Sequence, residues 1–349
     1  MSGLSLTSWL LAAVAAAAAI VIGVGALRLL WRARGSYLIY RAGPRRLRAV
    51  AHLIWREPGR VEALDLAQGP GSAEIEPRAP FRFVEEHLTG SQPCVSVADA
   101  RGRVWRVKWG VEVRAENFAV RLVHACGYFA EVTYFVRSGR IEGASNLQRA
   151  ASCIAADCTF SEARFELDDP AVRKLFEEHS WAWNDNPFAG TRELNGLKVL
   201  VMLLSNWDTK DRRDVARGSN TAIFELRTAA LRREARYLIT DWGGCMGRWG
   251  SNIVTRGRWD PDGFAAQTPD FVTGIQDGFV RFGYVGQRTA DVADGIRVAD
   301  VRWLHSYLSR VSDAQIRDAL KASGADEPET DAFTQAIRAR IDQLRAPGA

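Results

Sequence analysis

Five polar residues between positions 108 and 241 are of the types that phosphoryl transfer requires. They are Lys108, Glu116, Asp208, Asn220 and Asp241. A lysine can hold the α- and β-phosphates of ATP, and a carboxylate can accept the proton of the attacking hydroxyl. Two further oxygen ligands can hold the Mg²⁺ or Mn²⁺ that bridges the phosphates. Each residue type is common in proteins, so the prediction depends on the set and on its order.

The first two members occur in the order that protein kinases use, with a lysine on a strand and a glutamate on the next helix. Lys108 lies in WRVKWG, a predicted strand, and Glu116 lies in the helix predicted after it. We therefore predict that Lys108 and Glu116 form an ion pair that binds ATP. Glu112 lies one helical turn before Glu116 and is an alternative partner for the lysine.

The other members follow in the remaining kinase order, an Asp-x-Lys loop, an asparagine and an Asp-x-Gly. Asp208 and Lys210 follow the apolar segment ending in LLSNW, and they are the predicted catalytic residues, with Asp208 as the base. Asn220 opens one predicted strand and Asp241 ends the next, so both are predicted metal ligands. Asp211 and Asp214 are alternatives for the base, in a segment typical of a solvated loop.

Two groups of elements are predicted to position these residues. Strand signals begin after Pro80, and a hairpin with its turn at residues 99–102 is followed by a helix and by the strand FAEVTYFV. From Asp168 onward the pattern is mostly helical. The predicted helices are AVRKLFEEHSWAW, LNGLKVLVMLLSNW and the periodic segments after Val298, and TAIFEL with ARYLITD is a predicted hairpin.

The N-terminal segment is predicted to be a membrane anchor. Trp9–Leu27 carries no charge, and with the residues up to Trp31 the run is long enough to cross a bilayer as a helix. No Lys or Arg precedes it, which disfavours a cleavable signal peptide. Arginines cluster after it, which places the rest of the chain in the cytoplasm, with a periplasmic location as the alternative. A Gly/Pro-rich stretch at residues 67–80 is typical of a flexible boundary.

Charge and cysteine usage exclude several classes of protein. Residues 1–60 carry a net charge of +8, so the rest of the chain carries −3, and no nucleic-acid partner is expected. The five cysteines are scattered and odd in number, which excludes a disulfide framework, and no Cys/His spacing indicates zinc.

Beyond the motifs themselves, two stretches resemble atypical kinases. GSQPCVSVADARGRVWRVKWGVEVRAENFAVRLVHACGY is similar to the nucleotide-binding lobe of HipA-type serine/threonine kinases. NPFAGTRELNGLKVLVMLLSNWDTKD, SNTAIFEL and YLITDWGG resemble the catalytic half of a bacterial family that is distantly related to HipA. That family is also related to secretory-pathway casein-phosphorylating kinases and to phosphatidylinositol kinases. The resemblance covers roughly residues 80–345, and it implies an ATP- and metal-dependent kinase.

The chain departs from these patterns at three places. Asn220 lies twelve positions after Asp208, an interval that indicates an insertion, and Cys94 stands where the HipA pattern has lysine. No GxGxxG is present, so Thr89, Gly90 and Ser91 are the residues expected to cap the phosphates with backbone N–H groups. A nucleotide-binding pseudokinase and an AMP-transferring enzyme therefore remain alternatives, and the acceptor is open among proteins, lipids and small molecules.

The predicted fold is α+β, a two-lobed protein-kinase-like fold after an N-terminal transmembrane helix. The anchor is expected at residues 1–31 and a basic juxtamembrane linker at 32–77. A small β-rich N-lobe at 78–140 and a larger helical C-lobe at 141–349 follow.

Overall fold

The structure is a computed structural model that describes residues 50–90, 92–174, 181–209, 220–227 and 233–345. The chain divides into two units, Met1–Ala51 and His52–Ala349, and almost all described residues belong to the second. The predicted anchor at residues 1–31 lies outside the described residues. Within the described part of the chain, no helix is both long and apolar enough to span a bilayer.

The described elements make a mixed α+β fold, as predicted. Its strands are β1 (Ala51–Leu53), β2 (Phe81–His87), β3 (Cys94–Ala98), β4 (Val104–Lys108), β5 (Thr133–Glu142), β6 (Thr159–Leu167), β7 (Val172–Lys174), β8 (Thr221–Arg227), β9 (Arg233–Ile239), β10 (Val272–Gln276) and β11 (Phe279–Phe282). Its α-helices are α1 (Val113–Ala125), α2 (Arg192–Leu203), α3 (Pro261–Ala266), α4 (Thr289–Ala293), α5 (Val298–Leu308), α6 (Asp313–Ala322) and α7 (Glu327–Gln343).

Five strands close into a barrel in the order β2-β3-β4-β6-β5. Only the β2–β5 pair of the barrel is parallel. Alternate residues of its strands, such as Val95, Trp105 and Phe165, are fully buried in one apolar cluster. Because side chains alternate across a strand, the residues between them lie on the opposite face, and these are mainly polar. The barrel therefore offers a polar outer face on which charged side chains can meet.

A second sheet, in the order β1-β9-β8-β7, contains the predicted TAIFEL–ARYLITD hairpin as β8 and β9. The described chain after α2 contains the five helices α3 to α7 and the four strands β8 to β11, and several of its helices begin with side-chain caps. Thr191 accepts a hydrogen bond from Leu194 N at the start of α2, and Ser312 and Asp326 form capping boxes at α6 and α7. These caps fix the starts of helices that the sequence periodicity already predicts.

Three sequence expectations differ from the structure. The segment AVRKLFEEHSWAW was predicted as a helix, but Val172–Lys174 is strand β7, because it pairs with β8. The N-lobe boundary expected at residue 140 falls inside β5, and the barrel continues to Leu167. Such errors are expected, because local periodicity does not report pairing with a strand more than fifty positions away.

The third difference concerns the expected linker. Val61 and Leu66 are buried, and Tyr134 Oη bonds both the N–H and the carbonyl of Ser72, at 2.8 and 2.9 Å. Trp55 packs edge-on against Trp303. Residues 52–77 are therefore part of the folded body and not a flexible boundary, because their apolar side chains find partners on the barrel and on α5.

Candidate active site

Lys108 is the last residue of β4 and lies between two carboxylates. Its Nζ is 2.9 Å from Glu116 Oε1 and 3.4 Å from Glu112 Oε2. The contact expected between Lys108 and Glu116 is present, and the alternative partner Glu112 is used as well. A short connection through Gly110, whose φ is 122°, turns the chain from β4 into α1. Glu112 and Glu116 then lie at the start of α1, where the helix dipole favours negative charge.

Arg164 on β6 is a second cation for Glu116. Its guanidinium lies 2.7 Å from Glu116 Oε2 and 2.6 Å from Glu166 Oε2. The strand register explains the contact, because Arg164 lies opposite Lys108 on the neighbouring strand and on the same outer face. Glu116 is only 1% exposed. This buried carboxylate is thus held between two cations from two strands, which fixes its position.

Burial and charge act in opposite directions on this network. Burial alone would lower the pKa of Lys108, but the carboxylates of Glu116, Asp241 and Glu112 raise it above its usual value. Burial raises the pKa of Glu116, which Arg164 and Lys108 oppose. Lys108 therefore stays protonated, which is the form that can bind a phosphate.

Asp241 joins the network from the end of β9. Its Oδ1 accepts a hydrogen bond from Gly243 N at 2.9 Å, which folds the chain back after the strand. Gly243 packs closely on Glu112, since a Cβ at this glycine would lie 2.8 Å from Glu112 Cδ. This close approach brings carboxylate oxygens of Glu112, Glu116 and Asp241 within 4.8 Å of one another. Carboxylate oxygens are the ligands that Mg²⁺ and Mn²⁺ prefer, so this group could hold such an ion.

Asp208 lies on the loop that follows α2. The helix ends at Leu203, and Ser205, with a φ of 57°, reverses the chain direction. Asn206 then links the two predicted aspartates, because its Oδ1 accepts from Asp208 N at 3.2 Å and its Nδ2 donates to Asp241 O at 3.3 Å. The Asp-x-Lys and Asp-x-Gly motifs are therefore joined by one amide side chain.

Asn220 approaches the same loop from the start of β8. Its Nδ2 donates to the carbonyl oxygen of Asp208 at 2.8 Å. Asp208, Asn220 and Asp241 all line one small cavity, together with residues that include Trp183 and Asn206. The three residues predicted as base and metal ligands thus converge on one space. The predicted catalytic residue Lys210 lies outside the described residues.

The electrostatic surroundings raise the pKa of Asp208. Burial is the largest cause, and the carboxylates of Asp241 and Glu112 add to it. Arg258 opposes the rise; it lies 3.1 Å from Glu112 Oε1 and stacks on the Trp207 ring. A carboxyl group with a raised pKa is a better proton acceptor than an ordinary aspartate.

The predicted phosphate-capping residues that the structure describes are not part of this cluster. Thr89 and Gly90 are exposed on the β2–β3 loop, and Gly90 O accepts a hydrogen bond from Arg149 at 2.8 Å. Ser91 lies outside the described residues. Gln92, at the other end of this loop, packs against Gly110, which follows Lys108 by two residues. A Cβ added at Gly110 would lie 2.5 Å from Gln92 Oε1.

Sequence reasoning missed Arg164, Arg258 and Asn206. Arg164 and Glu166 could have been noticed, because they alternate with apolar residues in a strand pattern, RFEL preceded by alanine. Their pairing with the strand of Lys108 could not have been predicted, since it depends on the order of strands in the barrel. Asn206 precedes Trp207-Asp208 in the most specific motif of the chain, but the sequence does not reveal that it reaches Asp241.

A large cavity of about 920 Å³ lies beside the charged network. Its walls are the polar outer face of the barrel, the connection after β6, the sheet β7–β9 and residues from 56–70 and 124–132. Arg106 and Glu166 line this cavity. They form a cross-strand pair, two residues along each strand from the pair of Lys108 and Arg164. This volume is of the size that small-molecule and cofactor sites have.

Comparisons of the chain with protein-family models, with curated proteins and with solved structures find no match.

Proposed function

We propose that this chain is an ATP-dependent phosphotransferase with a kinase-like arrangement, acting with Mg²⁺ or Mn²⁺ on a hydroxyl acceptor. One observation carries the proposal: side chains from β4, α1, the loop after α2, the start of β8 and the end of β9 meet at one place. These residues follow one another in the chain order that protein kinases use, a lysine, a glutamate, an Asp-x-Lys, an asparagine and an Asp-x-Gly. A chance set of polar residues would have no reason to converge.

The cation end of the site suits a nucleotide triphosphate. Glu116 orients Lys108, and Arg164 fixes the position of Glu116. The ammonium group of Lys108 is therefore available to the α- and β-phosphates. The large cavity is lined by Arg106 and Glu166, each two residues from Lys108 or Arg164 on its strand, and its volume is sufficient for a nucleoside. Thr89, Gly90 and Ser91 remain the residues predicted to cap the phosphates.

The carboxylate end suits metal binding and proton transfer. Asp241 and Asn220 would offer oxygens to the metal, and Glu112 and Glu116 have carboxylate oxygens within 4.8 Å of an oxygen of Asp241. The metal would neutralise the charge of the transferring phosphoryl group. Asp208 accepts the proton of the acceptor hydroxyl, whose oxygen bonds to the γ-phosphorus while the bond from that phosphorus to the β–γ bridging oxygen breaks. Lys210 would stabilise the transferring charge.

The decisive experiment follows the two ends of ATP. The full-length protein is incubated with γ-labelled or α-labelled ATP, with Mg²⁺ or Mn²⁺, and with Asp208→Asn as the control. Metal-dependent release or transfer of the γ-label that is lost in Asp208→Asn supports the proposal. Retention of the α-label instead means AMP transfer. Nucleotide binding with no turnover in either assay means a pseudokinase, and it rejects the phosphotransferase proposal.

We also propose that the N-terminal apolar segment tethers this enzyme to a membrane, with the catalytic unit in the cytoplasm. The support is the uncharged run Trp9–Leu27 and the arginines after it. Deleting residues 1–31 should move the protein from the membrane to the soluble fraction of a lysate. Unchanged membrane association after the deletion would reject the tether.

A further inference from the structure

A short segment after β11 braces the loop that carries Asp208. Residues 206–209 each accept one hydrogen bond from residues 284–288, so the two segments are joined position by position. The four pairs are Tyr284 Oη to Asn206 O at 2.6 Å, Gln287 N to Trp207 O at 3.1 Å, Gln287 Nε2 to Asp208 Oδ1 at 2.7 Å, and Arg288 N to Thr209 Oγ1 at 3.1 Å.

Gln287 differs from the other donors in this brace. Its side chain is the donor that reaches a carboxylate, whereas the other three bonds end on carbonyl oxygens or on a hydroxyl. Tyr284 is buried, but Gln287 is exposed, so its side-chain amide is not needed to fill the core. The backbone N–H of Gln287 already holds the loop, and its amide adds a bond to one oxygen of the proposed base.

We propose that Gln287 is a positioning residue for Asp208, which fixes the carboxylate by donating to Oδ1 and so directs Oδ2 toward the acceptor hydroxyl. The inference rests on the proposed function for the role of Asp208, and it adds a residue that neither the motifs nor the resemblance indicates. A carboxylate whose one oxygen is already bonded has less rotational freedom, and a general base must be held within hydrogen-bond reach of the proton it takes.

Three variants of the full-length protein test the inference. Gln287→Met removes the donor and keeps the length of the side chain. Gln287→Lys restores a donor with a positive charge. Gln276→Met makes the same chemical change at an exposed glutamine on β10. The values of kcat and KM for ATP turnover are measured for each variant, and the melting temperature is measured beside them.

We expect kcat to fall about ten-fold in Gln287→Met with KM for ATP unchanged, and Gln287→Lys to recover much of this loss. Gln276→Met should match the wild type in every measurement.

Two results contradict different parts of the argument. If the wild type turns over ATP and kcat is unchanged in Gln287→Met, the inference about Gln287 is wrong and the proposed function stands. If the wild type binds nucleotide but turns over none, the phosphotransferase proposal fails, and the positioning role of Gln287 fails with it.

Discussion

Asn220 Nδ2 donates a hydrogen bond of 2.8 Å to the carbonyl oxygen of Asp208, although twelve positions separate the two residues. The interval in ordinary protein kinases is shorter, so the sequence alone left the assignment of Asn220 open. The bond places the side chain of Asn220 beside the Asp208 loop, where both residues and Asp241 line one cavity. The longer interval is therefore compatible with a shared site for the base and the metal ligands.

The first prediction concerns the metal. Asp241→Asn should remove most of the metal dependence of nucleotide binding, because it removes the charge of one of the three carboxylates that lie together at the proposed metal site. Isothermal titration with ATP, with and without Mg²⁺, measures the effect. Asp318→Asn is the matched control, since Asp318 is exposed on α6. Equal metal dependence in Asp241→Asn and the wild type would exclude Asp241 as a ligand.

The second prediction separates binding from turnover at the proposed base. Asp208→Asn should keep nucleotide affinity and lower kcat by about 10²–10⁴-fold, the contribution that general acid–base catalysis makes. Steady-state kinetics and ATP titration of the same preparation measure the two quantities. If Asp208→Asn turns over ATP like the wild type, the base must be sought at Asp211 or Asp214.

The third prediction concerns stability. The pKa of Asp208 is raised in the folded state, so ionised Asp208 lowers the free energy of unfolding at every pH above its unfolded-state pKa. Asp208→Asn should therefore raise the melting temperature at neutral pH when no metal is present. The gain should disappear below the unfolded-state pKa of aspartate, where the wild-type side chain is neutral in both states. A lower melting temperature for the variant at pH 7 would contradict the raised pKa.

The fourth prediction concerns the pH dependence of turnover. Asp208 accepts a proton only in its ionised form, so the rate should fall as the pH decreases through its pKa. Because burial and the nearby carboxylates of Asp241 and Glu112 raise that pKa, the acid limb should lie above the ordinary aspartate value of about 4. The pH profile of kcat measures it, and the residual activity of Asp208→Asn should lack that limb.

The fifth prediction distinguishes the two carboxylates beside Lys108. Glu116→Gln should reduce ATP affinity and stability more than Glu112→Gln, since Lys108 Nζ lies 2.9 Å from Glu116 and 3.4 Å from Glu112. Glu116→Gln also removes one of the two carboxylates that pair with the buried guanidinium of Arg164. Breaking a buried ion pair costs about 3–5 kcal/mol of folding free energy. Chemical denaturation and ATP titration of both variants measure the difference. Equal losses would mean that the glutamates share the role.

Much of the local structure could be predicted from the sequence. The alternating residues of CVSVA and RVWRVKW specify a hairpin, which appears as β3 and β4, and helical spacing specifies α1 with Gly127 after its end. TAIFEL and ARYLITD likewise become β8 and β9. These elements are encoded within a few residues, by hydrophobic period and by turn chemistry, so a single segment is sufficient to recognise them.

The sequence also indicates most residues of the site, but it does not indicate the distant residues that complete the site. The residue types and their order identify Lys108, Glu116, Asp208, Asn220 and Asp241 as a set. Arg164, Asn206 and Gln287 join that set only through contacts between segments far apart in the chain. No local pattern reports such contacts, because they depend on the barrel order and on the packing of the segment after β11.

The sequence by itself determined several of the strands and helices, among them β3, β4, α1, β8 and β9, and which chemistry their polar residues could perform. The tertiary structure alone decided that Val172–Lys174 is a strand, that residues 52–77 pack on the body, and that two glutamates share one lysine. The physical reason is the same in each case. Local propensities differ by fractions of a kcal/mol per residue, whereas burial against a distant partner is worth more and can override them.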